Sequence, residues 1–277
     1  EVQQDYDFAN NRITYWVKVP YLSSAADTQI HMYFDPAQAD NTLYIGDTGE
    51  TVAQYVWDDS YRAVWHMVDD TSASDYLDST SNLNHAVPQN NPARANDQLG
   101  QYADFEGDNN NYASAGNPAS LKIAGAITYE GMFKPESMNN GSAIITKGCT
   151  ACGRGYRNID FFYWDSKYHF NMSNSGGYPV NISHSVAPAL NEWHQVSGSW
   201  SGTTEAGGIK FYYNGELANI STASSLDIQN HLNVNIGGEG GFAHTDGVIG
   251  EVRISSVQRS DVWQKITYKS NLDKLVS

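Results

Sequence analysis

The sequence predicts an all-β protein: a two-sheet antiparallel β-sandwich with an N-terminal β region before it and a short C-terminal helix after it. Three observations carry this. From Asn191 to Ser256 the chain breaks into short alternating runs closed by turn residues. Trp193 to Trp200 ends at Ser201-Gly202, Ile209 to Tyr213 runs into Asn214-Gly215, and Leu232 to Ile236 runs into Gly237-Gly238. Each run is strand length, and Asn-Gly between apolar runs is a strong hairpin signal because both turn positions need φ > 0. Second, seven Trp, 18 Tyr and nine Phe supply a sizeable core, while 24 Gly with many Asn, Ser and Thr supply the turns of an all-β chain. Third, the period changes at the end. Val262, Trp263, Ile266 and Tyr268 or Lys269 fall near helical spacing, behind Ser260 and Asp261 as an N-cap with negative charge in the first turn.

The elements follow in order. Ile13 to Val19 reads as a strand ended by Pro20, and Ile30 to Phe34 as a second ended by Asp35-Pro36. Gln38 to Tyr55 is a connection, so the chain divides into 1–55 and 56–277. Val56 to Met67 opens the second part, and Asp69 to Asn96 is a polar stretch. Gln101 to Tyr112 is a strand and turn. Ile127 to Phe133 is a strand with Ile127, Tyr129, Gly131 and Phe133 on one face and Thr128, Glu130 and Met132 on the other. Ala143 to Lys147 begins another. Asn158 to Asn171 is an aromatic hairpin turning at Asp165-Ser166, with rings on both faces. In the most regular strands, Trp193, Val196 and Phe211 or Tyr213 are the expected core.

Several of these phrases carry a resemblance. "NEWHQVSGSW", "IKFYYNGEL", "LNVNIGG" and "GVIGEVRISSVQRS" resemble the closing strands of LamG-like, concanavalin A-like lectin/glucanase domains, and "QYADFEGDNNNY" resembles an earlier strand and turn of the same family. The resemblance implies a concanavalin A-like jelly roll over 56–277, with the end helix packed beside it. "ITYWVKVPYLSSAADTQIHMYFDPAQAD" resembles the second half of a small β domain of unassigned function that often precedes such a sandwich in bacterial envelope proteins. In that family more strands come before "WVKVP", so the resemblance implies that this chain begins inside a domain.

Charge and cysteines bound the function. A net charge of −15 argues against nucleic acid, whose binding rests on Lys and Arg releasing counterions. No apolar run approaches the ~18 residues of a membrane span, and no basic segment followed by an apolar core opens the chain. The segment is expected to be soluble, without membrane insertion of its own. Cys149 and Cys152 form a lone CxxC in a Gly-rich loop, which reads as a local disulfide of an oxidising compartment or as two free thiols. Sequons at Asn171, Asn181 and Asn219 fit a secreted protein and fit chance in an Asn-rich chain.

For metal, "LDSTSNLNHA" resembles the family's Asp-Ser-Thr-Gly-Asn-x-Asn-His-Gly loop. Oxygens at Asp78, Ser79, Asn82 and Asn84 suit a structural calcium ion, with Asp78 and Asn82 foremost, and suit equally a turn built from side chain to backbone bonds. Related domains hold that calcium partly through an Asp of the last strand; here Gly250 stands in its place.

For catalysis, glycoside cleavage needs two carboxylates at a set separation. The superfamily's glucanases place both on one strand as Glu-x-Asp-x-Glu, a pattern missing from this sequence, where the strand acids are scattered as Glu130, Asp160, Glu216 and Glu251. No Gly-x-Ser-x-Gly elbow or His-Glu-x-x-His helix occurs either. Binding survives: a sugar site needs exposed rings to stack on, with amides or acids to orient hydroxyls. The cluster Tyr163, Trp164, Tyr168, His169 and Tyr178, with Asp160 and Asn171 as hydrogen-bond partners, is the candidate, and core packing is the other use of the same rings. The expectation is a non-catalytic extracytoplasmic binding or adhesion module of a larger envelope or secreted protein. Its partner is a polysaccharide, a glycoconjugate or other domains of the same protein. A structural ectodomain cap of a TolQ/ExbB-like membrane protein is the alternative, and a glycan hydrolase or lyase the third reading.

Overall fold

Among the described residues, eighteen strands build two large sheets and one small one. The computed structural model describes residues 1–7, 12–23, 25–33, 35–39, 41–69, 75–97, 100–148, 157–174, 177–185, 187–222, 232–239 and 244–272. In order the elements are β1 (Val2–Asp7), β2 (Arg12–Tyr15), α1 (Thr51–Gln54), β3 (Tyr61–Asp69), β4 (Tyr76–Asp78), β5 (Val87–Gln89), β6 (Ala93–Asp97), β7 (Gly100–Phe105) and β8 (Tyr112–Gly116). There follow β9 (Ile127–Pro135), β10 (Ala143–Gly148), β11 (Arg157–Trp164), β12 (Lys167–Asn174), β13 (Gly177–Ser183) and β14 (His194–Trp200). The chain closes with β15 (Ile209–Tyr213), β16 (Glu216–Ser221), β17 (Val234–Ile236), β18 (Gly247–Ser255) and α2 (Asp261–Asn271).

One sheet has seven strands in the order β13-β12-β11-β10-β17-β8-β5. The other has nine, in the order β16-β15-β14-β9-β18-β3-β4, with β7 pairing β18 and β6 pairing β7. Every strand pair is antiparallel, as the turn-separated runs of the sequence require. Asn214-Gly215 joins β15 to β16 with φ of 52° and 77°, and Asp165-Ser166 joins β11 to β12 with φ of 49° and 61°. Both are left-handed turns whose twist matches the flanking strands.

The inner faces meet in a single core. Ile159, Phe161 and Tyr163 of β11 and Tyr168, Phe170 and Met172 of β12 point into it from the seven-stranded sheet. Facing them are Tyr129 and Phe133 of β9, Val196 of β14 and Phe211 of β15. Phe161 and Phe170 stack at 4.8 Å, and they lie directly over Gly198, where a Cβ would come within 2.7 Å of both rings. The sheets approach that closely only because β14 has no side chain there.

Val196 and Phe211 are fully buried, as expected, and Tyr213 packs against the core from its margin. Trp193 is a correction. It stands one residue before β14, in the alternate register, and lies half-buried on the outer side of the nine-stranded sheet. Its ring meets Tyr102 edge to face at 5.1 Å. The tryptophan that β14 sends into the core is Trp200.

Two boundaries also move. The strand expected from Val56 starts at Tyr61, because Tyr61 N donates to Asp58 O in a turn whose corner is fixed by Asp58 Oδ1 accepting from Ser60 N. In the N-terminal part β2 stops at Tyr15, and Ile30 to Tyr33, expected as a strand, form none and are exposed; Phe34 lies outside the described residues. Alternation there meets no neighbouring ladder among the described residues, and a strand without a partner leaves its backbone to water.

The C-terminal helix forms as read. Ser260 Oγ accepts from Trp263 N, and Asp261 takes hydrogen bonds from Lys210 Nζ and Tyr212 Oη, both at 2.7 Å. These contacts hold α2 on the outer face of the nine-stranded sheet, where its Gln264 and Thr267 are buried.

Candidate functional site

The outer face of the seven-stranded sheet gathers the polar side chains. Since Ile159, Phe161 and Tyr163 point inward, alternation sends Asp160, Phe162 and Trp164 outward from β11, and the same rule sends His169, Asn171 and Ser173 outward from β12. Register then aligns them. Asn181 pairs with Asn171, Asn171 with Asp160, Asp160 with Thr146, Thr146 with Asn235, and Asn235 with Ser114. Six adjacent strands thus contribute one polar side chain each to a single row, about 24 Å long at the usual strand spacing of ~4.8 Å.

Within this row Asp160, Asn171 and Thr146 are buried, and Asp160 is 2% exposed. Thr146 Oγ1 and Asn171 Oδ1, with Ser173 Oγ beside them, have no hydrogen-bond partner. These atoms are closed off from solvent, and folding them without partners costs ~1–3 kcal/mol each.

At the hairpin end the face opens. Trp164 is 52% exposed. His169 stacks on Phe162 at 5.2 Å, and its ring nitrogens meet Asn181 Oδ1 at 2.8 Å and the Trp164 carbonyl at 3.0 Å. The imidazole therefore joins β13 to the turn that carries Trp164. An exposed indole at the end of a short hairpin, beside the amide of Asn181, is a ring that can stack on the flat face of a ligand.

The candidates read from sequence separate accordingly. Asp160, Trp164, His169 and Asn171 lie together on the outer face. Tyr168 does not: it is 2% exposed in the core, packed on Phe133 at 4.7 Å, with its hydroxyl against Met138 Sδ. Tyr163 is likewise core, because strand alternation places it opposite Trp164. Tyr178 belongs to β13, and its side chain lies outside the described residues, as do Cys149 and Cys152 altogether. Ser173, two residues beyond Asn171 on the same strand, was within reach of alternation, whereas Thr146, Asn181 and Asn235 join the row only through inter-strand register. Of the three sequons, Asn171 is buried in the row, whereas Asn181 and Asn219 are exposed.

The loop considered for calcium is held by its own hydrogen bonds. Asp78 Oδ1 accepts from Val64 N and Thr80 N, and Oδ2 from Thr80 Oγ1 and Asn84 N, all at 2.8–2.9 Å. These four donors occupy the carboxylate's four acceptor positions. The Asn82 amide donates to the Tyr61 carbonyl and to Thr80 Oγ1. Gly250, at the family's aspartate position, has Trp193 and Tyr102 packed over it, each 3.3 Å from where a Cβ would stand. Elsewhere Asp104, Glu106 and Glu136 bring carboxylate oxygens within 4.8 Å of one another. Burial raises the pKa of all three with Asp246 adding to it, and Asp104 adds further at Glu106 and Glu136.

The opposite broad face is closed by the chain itself. His66 of β3 lies between Glu251 Oε1 at 2.7 Å and Glu1 Oε1 at 3.2 Å, under the stacked ring of Trp16. Burial favours the neutral imidazole, but Glu251 and Glu1 outweigh it and raise its pKa to about 9. Glu1 also accepts from Trp57 Nε1 and Ser79 Oγ, and Arg253 donates to Glu251 while lying over both Trp16 and Trp57. Glu130 is buried on this side as well. Burial pushes its carboxyl up, and Arg253 and Arg259 oppose that. Glu130 and Glu251 are thus on the far side of the sandwich from Asp160.

Comparison with known proteins agrees with this architecture. Domain 4 of AbnA, a GH43 extracellular arabinanase from Geobacillus stearothermophilus, seen in complex with arabinotriose, is similar at 15% identity and a TM-score of 0.57, over 75% of this chain and 97% of that one. The binding domain of Paraclostridial Mosquitocidal Protein 1 is similar at 11% identity and 0.58, over 76% of this chain and 52% of that one. The binding domain of Botulinum Neurotoxin DC, in complex with SialylT, is similar at 13% and 0.55, over 77% and 51%. This chain therefore spans about half the length of the toxin chains. At these identities the likeness is one of fold. No curated protein matches the sequence. Residues 107–262, more than half of the chain, match the Laminin_G_3 family model, and the protein accordingly belongs to the concanavalin A-like lectin/glucanases superfamily.

Proposed function

We propose that this protein is a non-catalytic, carbohydrate-directed binding or adhesion module of a larger secreted or envelope protein, working outside the cytoplasm. The observation that carries the reading is the hairpin end of the outer face of the seven-stranded sheet, where Trp164 is exposed beside the hydrogen-bonded His169 and the exposed Asn181. The neighbours support it: a domain seen with arabinotriose and toxin binding domains share the fold. Against catalysis stands the composition of the row, in which Asp160 is the one carboxylate. Glycoside cleavage asks for a second carboxyl within roughly 5–10 Å, and the other five members of the row are Asn181, Asn171, Thr146, Asn235 and Ser114.

Titration calorimetry against arabinotriose and a panel of plant and bacterial polysaccharides tests the reading, with reducing ends followed in parallel. Binding is expected that weakens at least tenfold in Trp164→Ala, with no release of reducing ends. Turnover by the parent protein would overturn the non-enzymatic part, and a Trp164→Ala variant that binds as the parent does would remove this face from the site.

A second reading has its own observation. Tyr21, Ile30, Met32, Tyr33, Leu43 and Tyr44 are exposed large apolar side chains in the N-terminal part. This suits packing against other domains of the same protein, as a structural ectodomain would require. No helix among the described residues is long and apolar enough to cross a membrane.

A further inference from the structure

We infer that His169 is the positioning residue of the hairpin-end site: it holds one end of the Asn181 amide, and the charge of its ring decides which end a ligand meets. A neutral ring turns an acceptor outward, which suits a sugar hydroxyl, whereas a charged ring turns a donor outward, which suits a sugar carboxylate. The choice of ligand rests on the carbohydrate reading above; the switch itself does not.

The partners of the ring decide it. His169 Nε2 lies 3.0 Å from the Trp164 carbonyl, which only accepts, so this nitrogen bears a proton. His169 Nδ1 lies 2.8 Å from Asn181 Oδ1, a second acceptor. A neutral imidazole has one N–H and one lone pair and cannot donate to both, while an imidazolium can. The arrangement present is therefore that of the charged ring. When the ring gives up a proton, Nδ1 keeps a lone pair, and its bond survives only if the Asn181 amide turns over and donates from Nδ2. The two ends of an amide are nearly alike in shape, so the turn needs no extra room.

These groups stand where a ligand can reach. Asn181 and Trp164 are both exposed, and the ring bridges them while resting on Phe162 at 5.2 Å, with 23° between the two planes. The charged or titratable side chains on the adjoining elements are Asp160 of β11, Asp165 of the turn, Lys167 of β12 and His184 after β13. Among the described residues none of these forms an ion pair with the ring, whose polar partners are Asn181 and the Trp164 carbonyl. No carboxylate fixes its charge in the way that Glu1 and Glu251 fix that of His66. Lys167, two residues before His169 on the same strand, shares its face, so a sugar carboxylate drawn to the imidazolium meets a second cation there.

Nitrogen-15 NMR of the parent protein from roughly pH 5 to 8, where histidines commonly change charge, tests the switch without a ligand. The ring signals are assigned by their loss in His169→Gln. The neutral ring is expected to carry its proton on Nε2, and the Asn181 side-chain amide signals to move in step with its titration. A neutral ring protonated on Nδ1, or Asn181 signals that ignore the titration, would overturn the inference. Matched glycans, each neutral chain beside the same chain ending in a sugar acid, then test the consequence at about pH 5.5 and pH 8. The ratio of acidic to neutral affinity is expected to rise at least threefold at the lower pH in the parent and to stay constant in His169→Gln. A constant ratio in the parent, or the same rise in the variant, would overturn the choice of ligand by the ring. If no member bound at millimolar concentration while the NMR behaved as expected, the carbohydrate reading would fall and the switch would stand.

Discussion

The two outer faces of the sandwich are both polar and both keep buried polar atoms without partners, among them Glu130 Oε1 and Ser197 Oγ on one and Thr146 Oγ1 and Asn171 Oδ1 on the other, yet they differ in what packs on them. On the nine-stranded sheet, His66, Glu251 and Arg253 find partners within the chain: Glu1 and Trp16 from the N-terminal part, Trp57 just before β3 and Asn271 of α2, while Arg259 after β18 pairs with Asp58 in the turn before β3. On the seven-stranded sheet the row through Asp160 keeps oxygens without partners, and its hairpin carries an exposed indole. The same period-2 alternation made both faces. What separates them, among the described residues, is that the N-terminal part and α2 pack on the nine-stranded face, whereas the hairpin of the seven-stranded face leaves Trp164 exposed.

Four experiments would break or sharpen that contrast. The largest effect is expected at Arg253. Arg253→Ala removes a guanidinium from between two tryptophans and leaves Glu251 and Glu130 buried with less compensation, at a cost of ~3–5 kcal/mol by chemical denaturation. Glycan affinity of the folded fraction should not change, and a parallel loss of affinity would show that the two faces are coupled.

Next comes the pH dependence of the closed face. The His66 pKa rises from an ordinary 6.5 to about 9 on folding, so its contribution is complete below pH 6.5 and is lost as pH climbs towards 9. The full contribution is about 3 kcal/mol. Unfolding free energies measured from pH 6 to 9.5 should fall across that window in the parent and stay flatter in His66→Gln; equal slopes would place the titrating group elsewhere.

The open face should behave in the opposite sense. Trp164→Ala is expected to change stability by less than ~0.5 kcal/mol, because the side chain is half exposed, while ligand affinity falls at least tenfold, or about 1.4 kcal/mol. A large loss of stability would mean that Trp164 belongs to the packing. The smallest effect concerns metal. With all four acceptor positions of Asp78 taken by protein donors, melting temperatures in excess chelator and in millimolar calcium should agree within about 1 °C. A clear rise with calcium would call for a site elsewhere, with Asp104, Glu106 and Glu136 the first residues to replace.

Most of the sandwich was legible because local chemistry specifies it. Asn214-Gly215 and Asp165-Ser166 announce left-handed turns, Ser260 announces a helix start, and alternating runs such as Ile127 to Phe133 announce strands. Half of the site was legible too: Trp164, His169, Asp160 and Asn171 lie within one hairpin, and the opposition of Tyr163 to Trp164 follows from the pleat alone.

What the sequence by itself determined, then, was the set of strands, their turns and the alternation within each. It left undetermined which of two equivalent alternations points to the core, and that is why Tyr168 was grouped with Trp164 until the packing of Phe133 claimed it. It also left undetermined which strands are neighbours. Thr146, Asn235 and Ser114 are far from Asp160 in the chain and join its row only through inter-strand register, a long-range property fixed by how the two sheets pack. The same holds for Ile30 to Tyr33, whose strand-like pattern found no partner ladder, and for Gly250, whose bare backbone acquired its meaning from Trp193 and Tyr102 above it. Local rules act over a few residues, whereas a face of a sheet is assembled from strands distant in sequence, so only the tertiary structure could decide which polar residues share one.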